Sequence, residues 1–324
     1  MTTDPLKVFV TRRLPQPALD RLADQNIILD LWDSDLPPDG DTMLSHSMDI
    51  DGILCLLTDR IDAKLIEQSN RLRVISNMAV GTDNIDVKYA TERGIPVGNT
   101  PNVLTDTTAD FAFALLMSAA RRIVEADSYV REGQWKTWGP NVLLGHDLHG
   151  ATLGIIGLGA IGRGVALRAK GFSMNILYTS RSRSTAPDNL NATLVTLEEL
   201  LTNADFVSVH VPLTDETRNL IGKHEFSLMK QNSVFVNTSR GGVVDQQALI
   251  QALKEGKPAM AALDVTTVEP IKMDDELLTL PNLIITPHIA SASVTTRTKM
   301  ANMAVDNLLA GLRGSPLPNC VNLQ

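Results

Sequence analysis

Cysteine is nearly absent: Cys55 and Cys320 are the only two in 324 residues. Neither sits at a metal-ligand spacing, and two thiols cannot build a disulfide framework. The pattern therefore excludes a disulfide-stapled secreted module and a cysteine-based zinc site, and fits a reducing compartment. Positive charge is also in deficit, 29 Lys and Arg against 37 Asp and Glu for a net charge of −8. With a pI near 5.3, this argues against nucleic acid or an anionic membrane as a bulk electrostatic partner. No apolar run reaches the roughly 20 residues a bilayer demands; the longest, Phe111 to Ala120, reads as a buried helix. The stretch MTTDPLKVFV lacks the basic start and apolar core of a signal peptide. The expectation is a soluble cytoplasmic protein. A Gly-x-Ser-x-Gly hydrolase elbow is missing as well. His146 and His149 flank Asp147 without further ligands, so no metal is expected.

What is present is an ordinary globular composition, 44% hydrophobic and 20% charged, on a chain with room for two domains. Strand-like runs alternate with helical patterns: KVFVT (7–11), DGILCLL (51–57) and LRVISNMAV (72–80), with helices over 15–25 and from about Asn84 to Gly94. A helical pattern from Asn102 to about Arg131 suits a connector between domains. A second alternating series follows: TLGIIG (152–157), NILYTS (175–180), FVSVHV (206–211), SVFVNTS (233–239), AMAALDV (259–265) and LIITP (283–287). Helices fit at Ile161–Lys170 and Gln246–Glu255. The stretch from Ser291 to Arg313 is helical again, and its simplest account is a return to the first domain. The alternation predicts parallel sheets flanked by helices, an α/β fold.

Gly157-Leu158-Gly159-Ala160-Ile161-Gly162 follows a strand and opens a helix. That is the context of a dinucleotide fingerprint, in which the glycines allow the turn, the approach of pyrophosphate and close helix–strand packing. An acid at the end of the next strand would bond a ribose 2′-hydroxyl. Here ILYTSRSR occupies that place, and no Asp or Glu occurs between Gly162 and Asp188. Ser180, Arg181 and Arg183 would instead donate to a 2′-phosphate, which points to NADP(H), with NAD(H) possible.

Three segments end strands at the edge where that cofactor would lie: Asn237-Thr-Ser-Arg-Gly-Gly242, Asp264-Val-Thr-Thr-Val-Glu-Pro270 and Pro287-His-Ile-Ala-Ser291. Singly, each has an ordinary reading as a surface arginine, a turn glutamate or a packed loop histidine. Together, beside a nucleotide fold, Arg240, Glu269 and His288 match the needs of 2-keto acid reduction. Arg240 can clamp a carboxylate and a ketone oxygen, and His288 can protonate the developing alkoxide. Glu269 can orient that imidazole and favour its protonated form.

The sequence resembles the D-isomer-specific 2-hydroxyacid dehydrogenases, and within them the glyoxylate/hydroxypyruvate reductases. The likeness runs nearly end to end through VGTDNIDV (80–87), RGIPVGNTPNVLTDTTAD (93–110), GIIGLGAIGR (154–163), VNTSRGGVVD (236–245), ALDVTTVEP (262–270), ITPHIASAS (285–293) and NLLAGLRGSPLPN (307–319). The resemblance implies Arg240, Glu269 and His288 as catalytic residues, and Val80 and Gly81 as the loop whose amides hold the substrate carboxylate. It implies Thr108, Pro212, Thr238, Ser239, Asp264 and Ser291 as cofactor contacts. It also implies two lobes, a flavodoxin-like substrate lobe from residues 1–101 and 289–324 and a Rossmann lobe from 102–288, and a homodimer joined through the latter. Ala160 departs from the Arg or Lys common inside the glycine motif. Trp135 and Trp138 lie where a partner-subunit tryptophan reaches the pocket in some reductases, or pack at a seam; neither is assigned. Two other readings stay open: a reductase of another keto acid such as 2-ketogluconate, and a nucleotide-sensing binding protein of the kind found among dehydrogenase-like corepressors.

Overall fold

The computed structural model describes residues 5–181 and 188–323. The chain divides into two compact units, the first from residues 1–104 and 292–324, the second from Thr105–Ser291. Each crossing falls three residues later than the sequence reading puts it (104 against 101, 291 against 288).

The first unit holds strands β1 (Leu6–Val10), β2 (Ile27–Leu31), β3 (Gly52–Cys55), β4 (Val74–Asn77) and β5 (Val97–Gly98). All pair in parallel in the order β2-β1-β3-β4-β5, the flavodoxin-like arrangement. Its helices are α1 (Gln16–Ala23), α2 (Gly40–Ser47), α3 (Ala63–Gln68), α4 (Val87–Glu92) and, from the far end of the chain, α11 (Val294–Leu312). Alternate strand residues serve opposite faces. Val8, Val10, Leu54 and Val74 pack with α1 and α11. Phe9, Ile53, Cys55 and Ile75 pack with residues of α2, α3 and α4. Burial on both faces explains the near-continuous apolar runs.

The second unit holds β6 (Thr152–Ile156), β7 (Asn175–Thr179), β8 (Ala192–Leu194), β9 (Phe206–Val209), β10 (Val234–Asn237), β11 (Met260–Leu263) and β12 (Leu283–Ile285). The order β12-β11-β10-β9-β6-β7-β8 is the doubly wound Rossmann order with one strand added. Helices α5 (Thr105–Ala120) and α7 (Ala160–Gly171) cover one face. Helices α8 (Leu197–Asn203), α9 (Lys223–Leu228) and α10 (Gln246–Lys254) cover the other.

One expectation is corrected. The stretch from Asn102 to Arg131 is two helices, α5 and α6 (Ile123–Arg131), parted at Arg122 with φ 53°. The Ala120 carbonyl, which a continuing helix would use, instead accepts from the His146 N–H at 2.8 Å. Gly145 makes this approach possible, since a Cβ there would lie 2.3 Å from the Ala120 oxygen. The helix therefore ends on a contact made 26 residues downstream. Strands β2, β5 and β8 escape the sequence reading. All three are sheet edges; in β2 and β8 partly exposed residues blur the apolar pattern, and β5 is only two residues long.

Candidate active site

The glycine turn sits at the switch point of the second sheet, between the ends of β6 and β9 where strand order reverses. Gly157 has φ 97°, and a Cβ there would meet Val211 Cγ1 at 2.8 Å and the His210 carbonyl at 3.0 Å. A Cβ on Gly162 would lie 2.2 Å from the Gly157 oxygen. Gly159, by contrast, faces open space, with nothing within 4 Å of a built Cβ. It precedes α7 without a capping side chain, so the first N–H groups of that helix, beginning at Ala160 and Ile161, are presented to a ligand. Leu158 is buried beneath the turn. The orphaned, buried Thr238 Oγ1 has no hydrogen-bond partner among the described residues. These features fit a bound dinucleotide.

At the end of β7, Ser180 and Arg181 follow the strand, and Arg183 lies outside the described residues. Arg181 Nη1 donates to Glu216 Oε2 at 2.8 Å, both side chains being largely exposed. The carboxylate beside Arg181 is thus supplied from the loop after β9, which no local reading could show. Pro212 heads that loop, and its carbonyl accepts from Thr217 Oγ1 at 2.6 Å. His210, one residue past β9, pairs its Nε2 with Ser208 Oγ at 2.8 Å, and burial pushes its pKa down to about 4. A neutral imidazole therefore backs the glycine turn.

Strands β10, β11 and β12 are neighbours, so the loops at their carboxyl ends lie side by side. Arg240 follows β10, Glu269 follows β11 and His288 follows β12. His288 Nδ1 and Glu269 Oε2 are 2.7 Å apart, so Nε2 is the ring nitrogen that Glu269 does not engage. Glu269 Oε1 in turn accepts from the Thr266 N–H at 3.1 Å. The His288 backbone sits at φ 55°, a conformation uncommon outside glycine.

Buried Asp264 holds that loop. Its Oδ1 accepts from Thr286 Oγ1 at 2.6 Å and the Ile289 N–H at 2.9 Å, and its Oδ2 from the Ala290 N–H at 2.7 Å. Ser291 follows immediately. Buried Asn237 does the same for the arginine loop. Its Oδ1 accepts from the Ser239 N–H and hydroxyl at 2.9 and 2.8 Å, and its Nδ2 donates to the Arg240 carbonyl at 2.9 Å. Sequence reading overlooked Asn237 as a support, although it opens the NTSRGG segment. Gly241 permits the close crossing of these loops, since a Cβ there would lie 2.1 Å from Thr266. Thr108 is buried in the first turn of α5.

In the first unit, Val80 and Gly81 follow β4 in a loop braced by asparagines: Asn99 Nδ2 donates to the Val80 carbonyl and Asn77 Nδ2 to that of Gly81. Trp135 and Trp138, beyond α6, are 60% and 80% exposed in the single chain. Among the described residues no group of three or more His, Cys, Asp or Glu could hold a metal, and no helix is long and apolar enough to cross a membrane.

Residues 113–290 match the model of the D-isomer specific 2-hydroxyacid dehydrogenase NAD binding domain. A glyoxylate reductase of Korarchaeum cryptofilum is 54% identical over 318 residues, 98% of this chain and 96% of that one. A solved structure of a Thermus thermophilus protein superposes with TM-score 0.92 at 45% identity, covering 98% of this chain and 100% of that one. The structure of an NADPH-dependent glyoxylate/hydroxypyruvate reductase from Sinorhizobium meliloti, in complex with NADP and malonate, matches at TM-score 0.86 and 33% identity, covering 98% and 97%.

Proposed function

The chain belongs to the D-isomer specific 2-hydroxyacid dehydrogenase family, and on that premise we propose that it reduces glyoxylate to glycolate and hydroxypyruvate to D-glycerate with NADPH preferred over NADH. The observation that carries the reading is the 2.7 Å pair of His288 and Glu269 beside the loop of Arg240. The relatives named glyoxylate reductase support the substrate, and the Sinorhizobium structure supports hydroxypyruvate and NADP.

The reduced nicotinamide supplies the hydride that adds to the keto carbon. Arg240 draws the ketone oxygen and the carboxylate by charge-assisted hydrogen bonds. As the carbon–oxygen π bond breaks, His288 Nε2 delivers the proton to the oxygen, giving the 2-hydroxy acid. Glu269 holds the ring through Nδ1 so that Nε2 faces the substrate. The N–H groups of Val80 and Gly81 hold the carboxylate. Thr108, Gly157, Gly159, Gly162, Pro212, Thr238, Ser239, Asp264 and Ser291 line the cofactor's place. Ser180, Arg181 and Arg183 receive a 2′-phosphate, Arg181 exchanging Glu216 for it. A homodimer formed through the second unit accounts for the exposed apolar residues of α6, Ile123, Val124 and Val130, each 51% accessible in the single chain.

A panel of 2-keto acids run with both cofactors tests the proposal. Glyoxylate and hydroxypyruvate should give the highest kcat/KM, with NADPH ahead of NADH. Equal or better rates with NADH would overturn the cofactor assignment. Absence of turnover on every 2-keto acid would overturn the enzyme itself.

A further inference from the structure

Three carbonyls in succession are taken in the loop after β4. The Thr100 N–H donates to the Ala79 oxygen at 2.8 Å, Asn99 Nδ2 to the Val80 oxygen at 2.8 Å, and Asn77 Nδ2 to the Gly81 oxygen at 2.9 Å. The peptide bonds from 79 to 82 are trans, and a planar trans unit points its N–H opposite to its C=O. Each donor that holds a carbonyl therefore aims the next N–H the other way: Thr100 aims that of Val80, Asn99 that of Gly81, and Asn77 that of Thr82. Among the described residues, none of these three N–H groups donates to a protein acceptor. Adjacent backbone N–H groups left without acceptors form a ready site for an anion.

The two asparagines are themselves fixed. Asn77 is fully buried at the end of β4, and its Nδ2 also donates to Asn84 Oδ1 at 3.1 Å. Asn84 Nδ2 then donates to the carbonyls of Leu56 and Asp59, both at 3.0 Å, tying the loop after β4 to the loop after β3. Asn99 is anchored through its backbone, its N–H to the Asn319 oxygen at 3.1 Å and its oxygen to Asn307 Nδ2 at 2.9 Å. Gly81 has no side chain to restrict its peptide planes, so an orientation there must be imposed from outside.

We propose that Asn99 and Asn77 are positioning residues for the substrate carboxylate: by gripping the carbonyls of Val80 and Gly81 they lock the peptide planes on either side of Gly81, so that the Gly81 N–H stays turned outward beside the Val80 N–H that Thr100 aims, and the two receive it. The inference rests on the reading of the chain as a 2-keto acid reductase and extends it from the amides to the side chains that aim them. Neither asparagine touches the substrate; their effect runs through the backbone. A carboxylate meets N–H donors already oriented, so binding loses little to ordering the loop.

The test uses the full chain, the half-buried Asn99→Leu variant, which keeps the side-chain shape and removes the donor, and Asn77→Ser as a second variant should the first fail to fold. Glyoxylate kinetics, inhibition by oxamate and fluorescence titration of NADPH are measured on each. Losing one oriented donor should raise KM for glyoxylate and Ki for oxamate together by about tenfold, with kcat and the NADPH Kd within about twofold of the unsubstituted protein. A merely structural role would shift NADPH affinity and kcat as well. Unchanged KM and Ki, or equal losses in every parameter, would overturn the proposal. Should the unsubstituted protein reduce no 2-keto acid, the reductase reading fails separately, and calorimetry with oxamate decides the loop. Weaker binding to the variants sustains the inference; equal binding, or none to the unsubstituted protein, overturns it.

Discussion

His288 joins an unusual backbone, φ 55°, to a side chain held by Glu269 and a loop clamped by Asp264, so its ring is delivered to one place by three independent restraints. Replacing it with alanine should lower kcat by about 10²- to 10⁴-fold, while NADPH affinity by fluorescence titration stays near normal; near-normal turnover would remove its role as proton donor. Arg181 poses a different question, because its partner Glu216 competes for the guanidinium that a 2′-phosphate would need. An exposed ion pair of this kind contributes at most about 1 kcal/mol, so the exchange is mild. Arg181→Ala should raise KM for NADPH and leave that for NADH unchanged. Glu216→Gln should do the reverse and lower KM for NADPH severalfold, as initial-rate kinetics with each cofactor would reveal. The arginine is evident in the sequence. Its carboxylate partner, 35 residues away on another loop, is not.

At the level of elements, the site is an outcome of adjacency. β10, β11 and β12 are neighbours, and each delivers one candidate residue within seven positions of its end. Gly241 lets the first two loops cross. In Gly241→Ala a Cβ would press on the Thr266 backbone at 2.1 Å, which is not relieved by a side-chain rotation. We expect a loss of about 1–3 kcal/mol in urea unfolding, together with a fall in kcat as the arginine loop is displaced; a variant of full activity and stability would show that the crossing is not tight. The central strands and α7 and α10 were readable from apolar runs and glycine stops. The break between α5 and α6 was not, because periodicity continues through Arg121 and Arg122 while the cause lies at Gly145 and His146.

At the scale of the whole molecule, two bulk measurements apply. His210 is held near pKa 4 in the folded chain by burial, against about 6.5 unfolded. Below about pH 6.5 the unfolded chain takes up a proton that the folded chain refuses, so stability should fall as pH drops from about 6.5 to about 4, by up to about 3 kcal/mol from this group. Denaturant titrations across that window should show a slope that His210→Gln reduces; an unchanged slope would contradict the assignment. Light scattering should return about twice the chain mass of 35.2 kDa. Val124→Glu with Val130→Glu should shift that mass toward one chain, since a charge at an apolar interface is left without water. A single-chain mass for the unsubstituted protein would exclude the homodimer.

Fold class, the glycine turn and the candidate set of Arg240, Glu269 and His288 were legible along the chain because they rest on local physics. Buried parallel strands demand apolar runs, a turn at φ 97° pressed against the His210 carbonyl demands glycine, and the proposed keto acid reduction calls for a cation, a proton donor and a carboxylate to hold it. The settings of those residues were written elsewhere in the sequence, at Asn237, Asp264 and Glu216, and at Asn77 and Asn99. Hydrogen bonds of this kind join positions whose distance in space bears no relation to their distance in sequence. They come into being only when parallel strands bring loop ends together, so their partners became apparent only in the folded chain.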